Sequence, residues 1–358
     1  MASSFSNWKK GRAVETEAKN SSQITTIFLT GANGRLGSAL RRRWSQDEYQ
    51  SKFCVVASHH DILDISDKAS VKTALDQFCP DIVVNCAGFN TPCASQQDRE
   101  NCWLVNAQGV KNLAEACVRR KTAFMHISCD SVFGAEDHRY AMLSDINRLY
   151  GLGFCVDDLD CRYTEDDLCG PVDFGGACKL AGENSIAQLA VAHPDFKHWI
   201  VRTGNLFEYP WRTSKSFLYS LALMIKGHKQ EIPIPADVLF SLCYAPEAAK
   251  AISWMLERPD KIKSGIYHLA NEGGVSWFQI ANQLVTYLGG SLGRIKPVAL
   301  SDYRRFCRGD MPPLDGVGRY KVLSTSKYQA LGGPVFSQWR DVLDDWSITF
   351  GGAATAVV

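Results

Sequence analysis

A glycine-rich turn is the first feature of this chain whose residues could do chemistry. It reads TGANGRLG and lies between the apolar run ITTIFLT and the helix-forming run GSALRRRWSQ. Gly31 permits a tight turn, Gly34 lets the backbone approach a pyrophosphate, and Gly37 lets the helix pack on the strand. With a strand before it and a helix after it, the turn predicts a dinucleotide site rather than a plain turn. The other predicted cofactor contacts here are Asn33, Arg35 and Leu36.

The second strand indicates which dinucleotide is favoured. NAD sites usually place Asp or Glu at the end of this strand to hold the ribose hydroxyls. This chain has Ser58 and His59 there, in VVASHHD. Since Arg35 in the turn can meet a 2′-phosphate, the sequence favours NADP, with NAD as the alternative. Asp64 and Ile65, in DILDIS, are predicted to lie against the adenine.

The elements that must position this turn alternate between β-rich and helical runs. KFCVVAS, DIVVNCAG and AFMHISC read as strands, while KASVKTALDQF and NCWLVNAQGVKNLAEACVRR read as helices. This alternation predicts a parallel sheet with helices on both faces and ligands at the carboxyl ends of the strands. The predicted fold class is therefore α/β, a Rossmann-type doubly wound parallel sheet with a smaller C-terminal α/β substrate lobe.

The chain divides into three predicted parts. Residues 1–23 are polar and are expected to form a flexible tail. Residues 24–205 form the predicted NAD(P)-binding domain, and residues 206–358 form mostly the smaller substrate-binding lobe. The irregular polar segment 134–170 interrupts the first domain, and a connection of this length usually lies over a site. It contains Tyr140, Tyr150 and Tyr163, any of which can lend an acid, as can its aspartates.

Composition excludes several classes of protein. The net charge of +1 over 358 residues gives no electrostatic case for nucleic acid or an acidic membrane. No apolar run is long enough to cross a bilayer, and residues 1–23 lack the apolar core of a secretory signal. The 13 cysteines form no C-x-x-C pair, which predicts reduced thiols in a cytoplasmic protein, without a disulfide framework or a metal site.

Further stretches resemble the extended short-chain dehydrogenase/reductases and, within them, the dTDP-4-dehydrorhamnose reductase (RmlD-like) family. These stretches include PDIVVNCAG, LVNAQGVKNLAEAC, HISCDSVF, YTEDD, PVDFGGACKLAGE, VRTGNLF and GIYHLANEGGVSWFQIA. The resemblance implies binding of NAD(P)H and reduction of the 4-keto group of a deoxysugar attached to a nucleotide. It also implies that the sugar nucleotide lies between the large domain and the C-terminal lobe.

The resemblance carries over unevenly to the catalytic residues. The family uses a tyrosine as general acid or base, a lysine four residues later, and a Ser or Thr hydroxyl that orients the carbonyl. Lys179 matches the lysine, but the tyrosine position holds Gly175, and a shift of one residue offers only Phe174. The hydroxyl position holds Cys129, followed by Asp130. Cys129 is either an inert small residue or a nucleophile activated by Lys179, whereas Asp130 is the better candidate for an acid.

These matches complete the predicted site. The two glycines Gly175 and Gly176 predict open space where a phenol ring would lie. Where the family often has an Arg-Pro pair that holds the nucleotide, Arg319 or Lys321 can replace it. The residues predicted to be catalytic are Lys179, Cys129 and Asp130. The remaining predicted cofactor contacts are Cys86, Ala87, Gly88, Asn106 and Lys179. The predicted substrate contacts are Asn90, Phe174, Gly175 and Asn205.

Three functions remain open from the sequence. Losing a general acid typically costs about 10²–10⁴-fold in rate, so an unchanged reductase is disfavoured. The favoured function is an NADP(H)-binding homologue that lacks the tyrosine and acts on a nucleotide sugar or related small metabolite by altered chemistry. The alternatives are a 4-keto-sugar-nucleotide reductase with a substitute acid, and a non-catalytic regulatory or binding subunit. The expected partners are a small-molecule substrate and either a second copy in a homodimer or a partner enzyme.

Overall fold

The computed structural model describes most of the chain. The described residues are 24–59, 63–90, 96–135, 161–208, 218, 221, 222, 224, 225, 231–288, 295–306 and 318–344. The predicted tail and most of the predicted segment 134–170, including Tyr140 and Tyr150, lie outside these residues.

The chain alternates strands and helices as its apolar pattern predicts. The strands are β1 (Thr25–Thr30), β2 (Phe53–Ala57), β3 (Ile82–Asn85), β4 (Ala123–Cys129), β5 (His198–Thr203), β6 (Asn205–Phe207), β7 (Ile232–Pro235), β8 (Leu239–Tyr244), β9 (Gly265–Leu269), β10 (Gly274–Ser276), β11 (Ile295–Val298) and β12 (Tyr320–Lys321). The α-helices are α1 (Arg35–Trp44), α2 (Asp47–Gln50), α3 (Lys68–Phe78), α4 (Gln96–Trp103), α5 (Val110–Arg120), α6 (Phe174–Ala192), α7 (Ala245–Leu256), α8 (Trp277–Tyr287), α9 (Leu300–Phe306) and α10 (Ser326–Gln329). A π-helical segment (Leu104–Gly109) joins α4 to α5, and a 3₁₀ turn (Asp130–Val132) follows β4.

Six of these strands form one parallel sheet in the order β2–β1–β3–β4–β5–β9. The chain goes from β1 to one neighbour, β2, and then back to the other, β3. The connections after β1 and β3 therefore leave in opposite directions and open a crevice at the carboxyl edge of the sheet. The Rossmann-type doubly wound sheet predicted from the sequence is confirmed.

Apolar side chains cover both faces of this sheet. Leu29 and Val201 pack on one face with residues of α1 and α7. Phe28 and Val83 pack on the other face with residues of α3, α5 and α6. Strands that are buried on both sides need apolar residues at successive positions, which is why residues 27–29 of β1 and residues 82–84 of β3 are apolar without a break.

Close packing between α6 and the π-helical segment determines the position of α6. A side chain at Gly182 of α6 would overlap the carbonyl oxygen of Asn106, so the two backbones are in direct contact. On the other side of the same segment, a β-carbon at Gly109 would lie 2.6 Å from the side chain of Ile65. The segment is therefore held tightly between α6 and the chain that follows β2.

The N-terminus of α6 begins at a capping residue. The carboxylate of Asp173 accepts a hydrogen bond from the backbone N–H of Gly176 at 2.7 Å, which satisfies one of the free amides of the first turn. Lys179 and Glu183, one helical turn apart, are both buried. Glu183 accepts hydrogen bonds from Arg202 of β5, the shortest at 2.7 Å, so α6 is tied to the sheet by a buried ion pair.

A smaller set of strands lies beyond the large sheet. Here β8 pairs with β6, β10 and β12, and β7 pairs with β11. Part of the chain after residue 205 belongs to the large sheet, because β9 lies beside β5 and α7 packs against α1. The run GIYHL forms β9, which pairs in parallel with β5 and so adds a strand at the edge of the large sheet. The smaller lobe is consequently not one continuous stretch of chain.

Two glycines bring β12 against the end of β4. A β-carbon at Gly318, just before β12, would lie 2.7 Å from the α-carbon of Gly134, which has a φ of +126°. Beside this contact the rings of Phe133 and Tyr163 stack with their centroids 4.1 Å apart. The ring centroids of Tyr163 and Tyr320 are 5.8 Å apart. The smaller sheet is thereby anchored at the carboxyl edge of the large one.

Candidate functional site

The glycine turn lies at the carboxyl end of β1 and has the shape that its residues predict. Gly31 has a φ of +62°, and a side chain there would overlap the backbone of Ala87 at the end of β3. A side chain at Gly37 would overlap the carbonyl oxygen of Gly31. No acidic residue occupies the first turn of α1. The amides and the positive end of this helix are thus available to an anion.

A cavity of about 880 Å³ begins at this turn and runs along the carboxyl ends of the strands to α6. Its volume lies within the range of about 300–1,000 Å³ that is usual for ligand pockets. Most of the predicted site residues line it: Gly31, Gly34, Arg35, Leu36, Ser58, His59, Asp64, Ile65, Cys86, Ala87, Gly88, Asn90, Cys129, Asp130, Lys179 and Asn205.

Some predicted residues do not line the cavity, namely Asn33, Gly37, Asn106, Phe174 and Gly175. Asn33 is exposed and accepts a hydrogen bond from Arg41 at 3.0 Å. The side chain of Phe174 is 38% exposed, and its ring centroid lies 5.5 Å from the guanidinium of Arg99. The structure therefore does not bring Phe174 to the cavity wall. Its predicted contact with substrate would need a ligand that extends beyond the cavity.

One end of the cavity has the polar residues that the sequence assigns to the adenosine half of the cofactor. The backbone of Ser58 bonds to Leu29 and to Ala32, which holds the end of β2 beside the glycine turn. Burial lowers the pKa of Arg35, while the charge of Glu208 opposes that change. A guanidinium brought this close to the turn is placed to meet a phosphate.

Asp64 has a local structural role at the same end. Its carboxylate accepts hydrogen bonds from the backbone N–H and the hydroxyl of Ser66, at 2.9 and 2.7 Å. These bonds form a tight Asx turn, which orients the chain before α3. Asp64 thus shapes this wall of the cavity and already has two intramolecular donors.

Lys179 reaches across the other end of the cavity. It is only 8% exposed, and within the described part of the chain its ammonium has neither a hydrogen bond nor an ion pair. A β-carbon placed on Gly88 would lie 3.3 Å from Lys179 Nζ and 3.5 Å from Asn106 Oδ1. The side chain therefore extends from α6 to the end of β3. The ammonium itself borders the open space of the cavity, where a ligand can supply its partner.

Asn106 supports the wall of the cavity. Its amide donates to the carbonyl oxygen of Phe89 at 2.8 Å and accepts from the N–H of Phe89 at 2.9 Å. The two hydrogen bonds satisfy both backbone polar groups of Phe89, as a neighbouring β-strand would. They thereby fix the chain on both sides of Phe89, including Gly88 and Asn90. The observed bonds give Asn106 a positioning role, and its predicted contact with the cofactor stays a prediction.

Cys129 has the properties of an inert thiol. Its Sγ lies 2.8 Å from the hydroxyl oxygen of Ser131. Burial raises the pKa of the thiol; the charge of Lys179 opposes this effect, and the charge of Asp130 adds to it. A thiol with a raised pKa is mostly protonated and is a weak nucleophile. This environment favours the inert interpretation over the nucleophilic one.

Asp130 has the properties of a group that can hold a proton. It is 6% exposed, and burial raises the pKa of its carboxyl; Lys321 opposes this effect and Asp173 adds to it. One oxygen, Oδ1, lies 3.9 Å from Lys321 Nζ. The other, Oδ2, is buried and has no hydrogen-bond partner among the described residues. A buried carboxyl with a free oxygen is able to exchange a proton.

A buried polar row beneath the cavity was not found in the sequence as a unit. Thr30 donates to Asn85 Oδ1 at 2.6 Å, as does the N–H of Ala87 at 3.2 Å. These donors orient the amide so that its nitrogen faces His126 Nδ1 at 3.1 Å. Burial, aided by the charge of Lys179, lowers the pKa of His126 to about 3. The only signal in the sequence was a polar residue in each of three largely apolar runs, at the end of β1 and β3 and in the middle of β4.

The two glycines that begin α6 have different surroundings. A side chain at Gly176 would overlap the carbonyl oxygen of Ser131, so packing requires a glycine there. A β-carbon at Gly175 would meet only the carboxylate of Asp173, at 3.1 Å. The expectation of open space is therefore wrong for Gly176, and the fold does not explain the glycine at residue 175.

Two absences hold for the part of the chain that the structure describes. No group of three or more His, Cys, Asp or Glu side chains is placed to hold a metal ion. None of the helices described is both long enough and apolar enough to span a membrane.

Known proteins that resemble this chain include several sugar-nucleotide reductases. The dTDP-4-dehydrorhamnose reductase of Mycolicibacterium smegmatis is 28% identical over 331 residues, which is 92% of this chain and 87% of that protein. The spore coat polysaccharide biosynthesis protein SpsK of Bacillus subtilis is 27% identical over 266 residues, covering 74% of this chain and 80% of that protein.

Solved structures share the fold. The dTDP-4-dehydrorhamnose reductase of Bacillus anthracis, in complex with NADP, has a TM-score of 0.71 at 22% identity over 91% of this chain and 100% of that one. The UDP-glucose 4-epimerase of Thermus thermophilus, in complex with NAD, has a TM-score of 0.65 at 18% identity over 88% and 95% of the two chains. A family model described as the RmlD substrate binding domain matches residues 25–349. This chain therefore belongs to the RmlD substrate-binding domain family.

Proposed function

We propose that this chain binds NADP(H) and acts on a nucleotide sugar or a related small metabolite, by chemistry that uses no tyrosine at residue 175. The observation that carries the proposal is Lys179, a mostly buried residue whose ammonium borders a cavity that begins at the glycine turn. The names of its relatives support the substrate class, since they include a dTDP-4-keto-6-deoxy-D-glucose reductase from Streptomyces niveus.

The residues present fit the proposed cofactor. The turn at Gly31 and the N-terminus of α1 would hold the pyrophosphate, because no side chain or acidic group intervenes there. Arg35 and Ser58 would surround a 2′-phosphate, and Lys179 would bond the hydroxyls of the nicotinamide ribose. When bound, the nicotinamide would supply or accept a hydride. The absence of a carboxylate at Ser58 favours NADP over NAD.

A fluorescence titration with NADPH and with NADH tests the cofactor. We expect NADPH to bind more tightly than NADH, and we expect Arg35→Met to remove most of that difference, since a charge-assisted bond to phosphate contributes about 1.5–3 kcal/mol. Arg340→Met is the matched control, because Arg340 is exposed and lies outside the cavity lining. If the wild-type chain binds neither nucleotide, the proposal is wrong.

A reductase with a substitute acid is the second candidate, and Asp130 is the observation that favours it. Its carboxyl is buried, has a raised pKa and lines the cavity. Reduction of dTDP-4-keto-6-deoxy-D-glucose by NADPH in the wild-type chain, with loss of turnover in Asp130→Asn, would support this candidate.

The variant Gly175→Tyr separates the remaining possibilities, because a β-carbon at that residue meets no backbone atom and only the carboxylate of Asp173, at 3.1 Å. If the wild-type chain is a disabled reductase, the tyrosine should raise turnover by about 10²–10⁴-fold. Gly175→Ala is the control for the added bulk. Absence of turnover in all three proteins, together with co-purification of a partner enzyme, would instead support the regulatory function.

A further inference from the structure

A lysine of the smaller sheet lies beside the buried carboxyl of the candidate site. The Nζ of Lys321, in β12, is 3.9 Å from Asp130 Oδ1, and the two side chains are 17% and 9% exposed. Within the described residues, Lys321 makes no hydrogen bond and no other ion pair. Among the described residues, each group is therefore the only opposite charge within 4.0 Å of the other, although they belong to different parts of the fold.

The backbone holds this lysine in place. In β12, Lys321 is in register with Phe240 of β8. A β-carbon at Gly318 would lie 3.4 Å from Lys321 Cδ, so the stem of the lysine packs along the chain that precedes β12. The contact between Gly318 and Gly134 then sets the distance from β12 to the turn that carries Asp130. The position of the ammonium thus follows from packing as well as from charge.

The other charged or titratable groups that act on Asp130 do not compensate its charge. Asp173, the cap of α6, carries the same sign, Cys129 is a half-buried thiol and Cys243 is a buried thiol. Lys179 acts instead on Cys129 and His126. In the described part of the chain, Lys321 is accordingly the cation that opposes the effect of burial on Asp130.

We propose that Lys321 is a positioning residue for Asp130, whose charge stabilises the carboxylate that remains after Asp130 has given its proton to a substrate oxygen. The pair Asp130–Lys321 would then have the role that a tyrosine and a lysine have in the related reductases. This inference rests on the proposed function, with Asp130 as the group that exchanges the proton. Only a proton moves between the carboxyl and the substrate oxygen.

The test measures the pKa of Asp130 without any ligand. Carbon-13 NMR of labelled aspartate carboxyls gives this pKa, and the resonance is identified by its loss in Asp130→Asn. Removal of a unit charge at this distance, at effective dielectric constants between those of water and of a protein surface, should raise the pKa of Asp130 by about 1–3 units in Lys321→Met. Lys321→Arg, which keeps the charge, should restore most of the shift.

The matched control is Lys327→Met. Lys327 belongs to the same part of the chain, but it donates to the carbonyl oxygen of Ile266 at 2.8 Å, and its charge does not act on Asp130. We expect the pKa of Asp130 to be the same in this variant as in the wild-type chain. An equal shift in both lysine variants would show a general effect of net charge and would overturn the proposal.

A second variant keeps the inference testable if Lys321→Met does not fold. Lys321→Gln also removes the charge but keeps a polar side chain, so it should raise the pKa of Asp130 by a similar amount. A rise of less than about half a unit in whichever variant folds would overturn the proposal. Because no cofactor is present in these experiments, failure of NADPH to bind would remove the proposed function and leave this result interpretable.

Discussion

Replacing Lys179 by methionine separates the energetic cost of burying its charge from the value of that charge to a ligand. The ammonium is in a residue only 8% exposed and has no partner among the described residues. The stem of the side chain is buried but its Nζ borders the cavity, so the cost of desolvating the ammonium is small, and methionine keeps a similar unbranched stem. We therefore expect the free energy of unfolding of the unliganded protein to rise by no more than about 1 kcal/mol in Lys179→Met.

With NADPH present, the order of stability should reverse. A bond from a charged donor contributes about 1.5–3 kcal/mol, so loss of the ammonium should raise the Kd for NADPH about 10- to 150-fold. NADPH at about 100 times the wild-type Kd stabilises the wild-type chain by about 2.7 kcal/mol, and the variant should gain far less. Urea unfolding with and without NADPH, combined with fluorescence titration, measures both effects.

Lys111→Met is the control, since Lys111 is exposed on α5 and its replacement should change stability by no more than about 0.5 kcal/mol. If Lys179→Met is less stable than the wild-type chain without ligand, then the ammonium has a stabilising partner inside the protein and the reasoning is refuted. An unchanged Kd for NADPH would remove Lys179 from the cofactor site.

Three further predictions concern the supports of the site. Gly176→Ala should lower the free energy of unfolding by about 1–3 kcal/mol because its β-carbon overlaps a carbonyl oxygen, whereas Gly175→Ala should be neutral or stabilising by up to about 1 kcal/mol in the same urea assay. Glu183→Gln leaves the buried Arg202 without its counter-charge, and thermal and urea unfolding should show a loss of about 3–5 kcal/mol. Burial lowers the pKa of His126 to about 3 in the folded chain, whereas the imidazole has a pKa of about 6.5 in the unfolded chain. As the pH falls, the unfolded chain therefore binds the proton first. The free energy of unfolding should fall by about 2 kcal/mol because of this group between pH 7 and pH 5. His126→Gln should remove that part of the pH dependence, and an unchanged slope would contradict the assigned burial.

The sheet and the glycine turn could be predicted because the information is local. The runs that form β1 and β3 are apolar at successive residues, and the glycines follow β1 directly. A backbone with the φ of Gly31 is strained for other residues, so the glycine itself signals the conformation. The predicted role of Lys179, in contrast, came from the resemblance of the stretch PVDFGGACKLAGE to the family.

The contacts around Asp130 and His126 could not be predicted, because they depend on register between distant strands. His126 meets Asn85 only because β3 and β4 are aligned at these two residues. Lys321 reaches Asp130 only because Gly318 and Gly134 let two backbones touch. From the sequence, Gly175 and Gly176 both predicted open space. In the structure, the carbonyl oxygen of Ser131 requires a glycine at residue 176 but not at residue 175.

The bare backbone contact at Gly182 has a consequence for how the cavity can vary. Since no side chain separates α6 from the carbonyl oxygen of Asn106, the helix cannot slide or turn without a collision. A rotation by one residue, about 100°, would point Lys179 away from the cavity. The direction of the Lys179 side chain thus depends on Gly182, a residue that has no side chain. Other residues of the cavity near Lys179 can therefore be substituted without changing the direction in which its ammonium points.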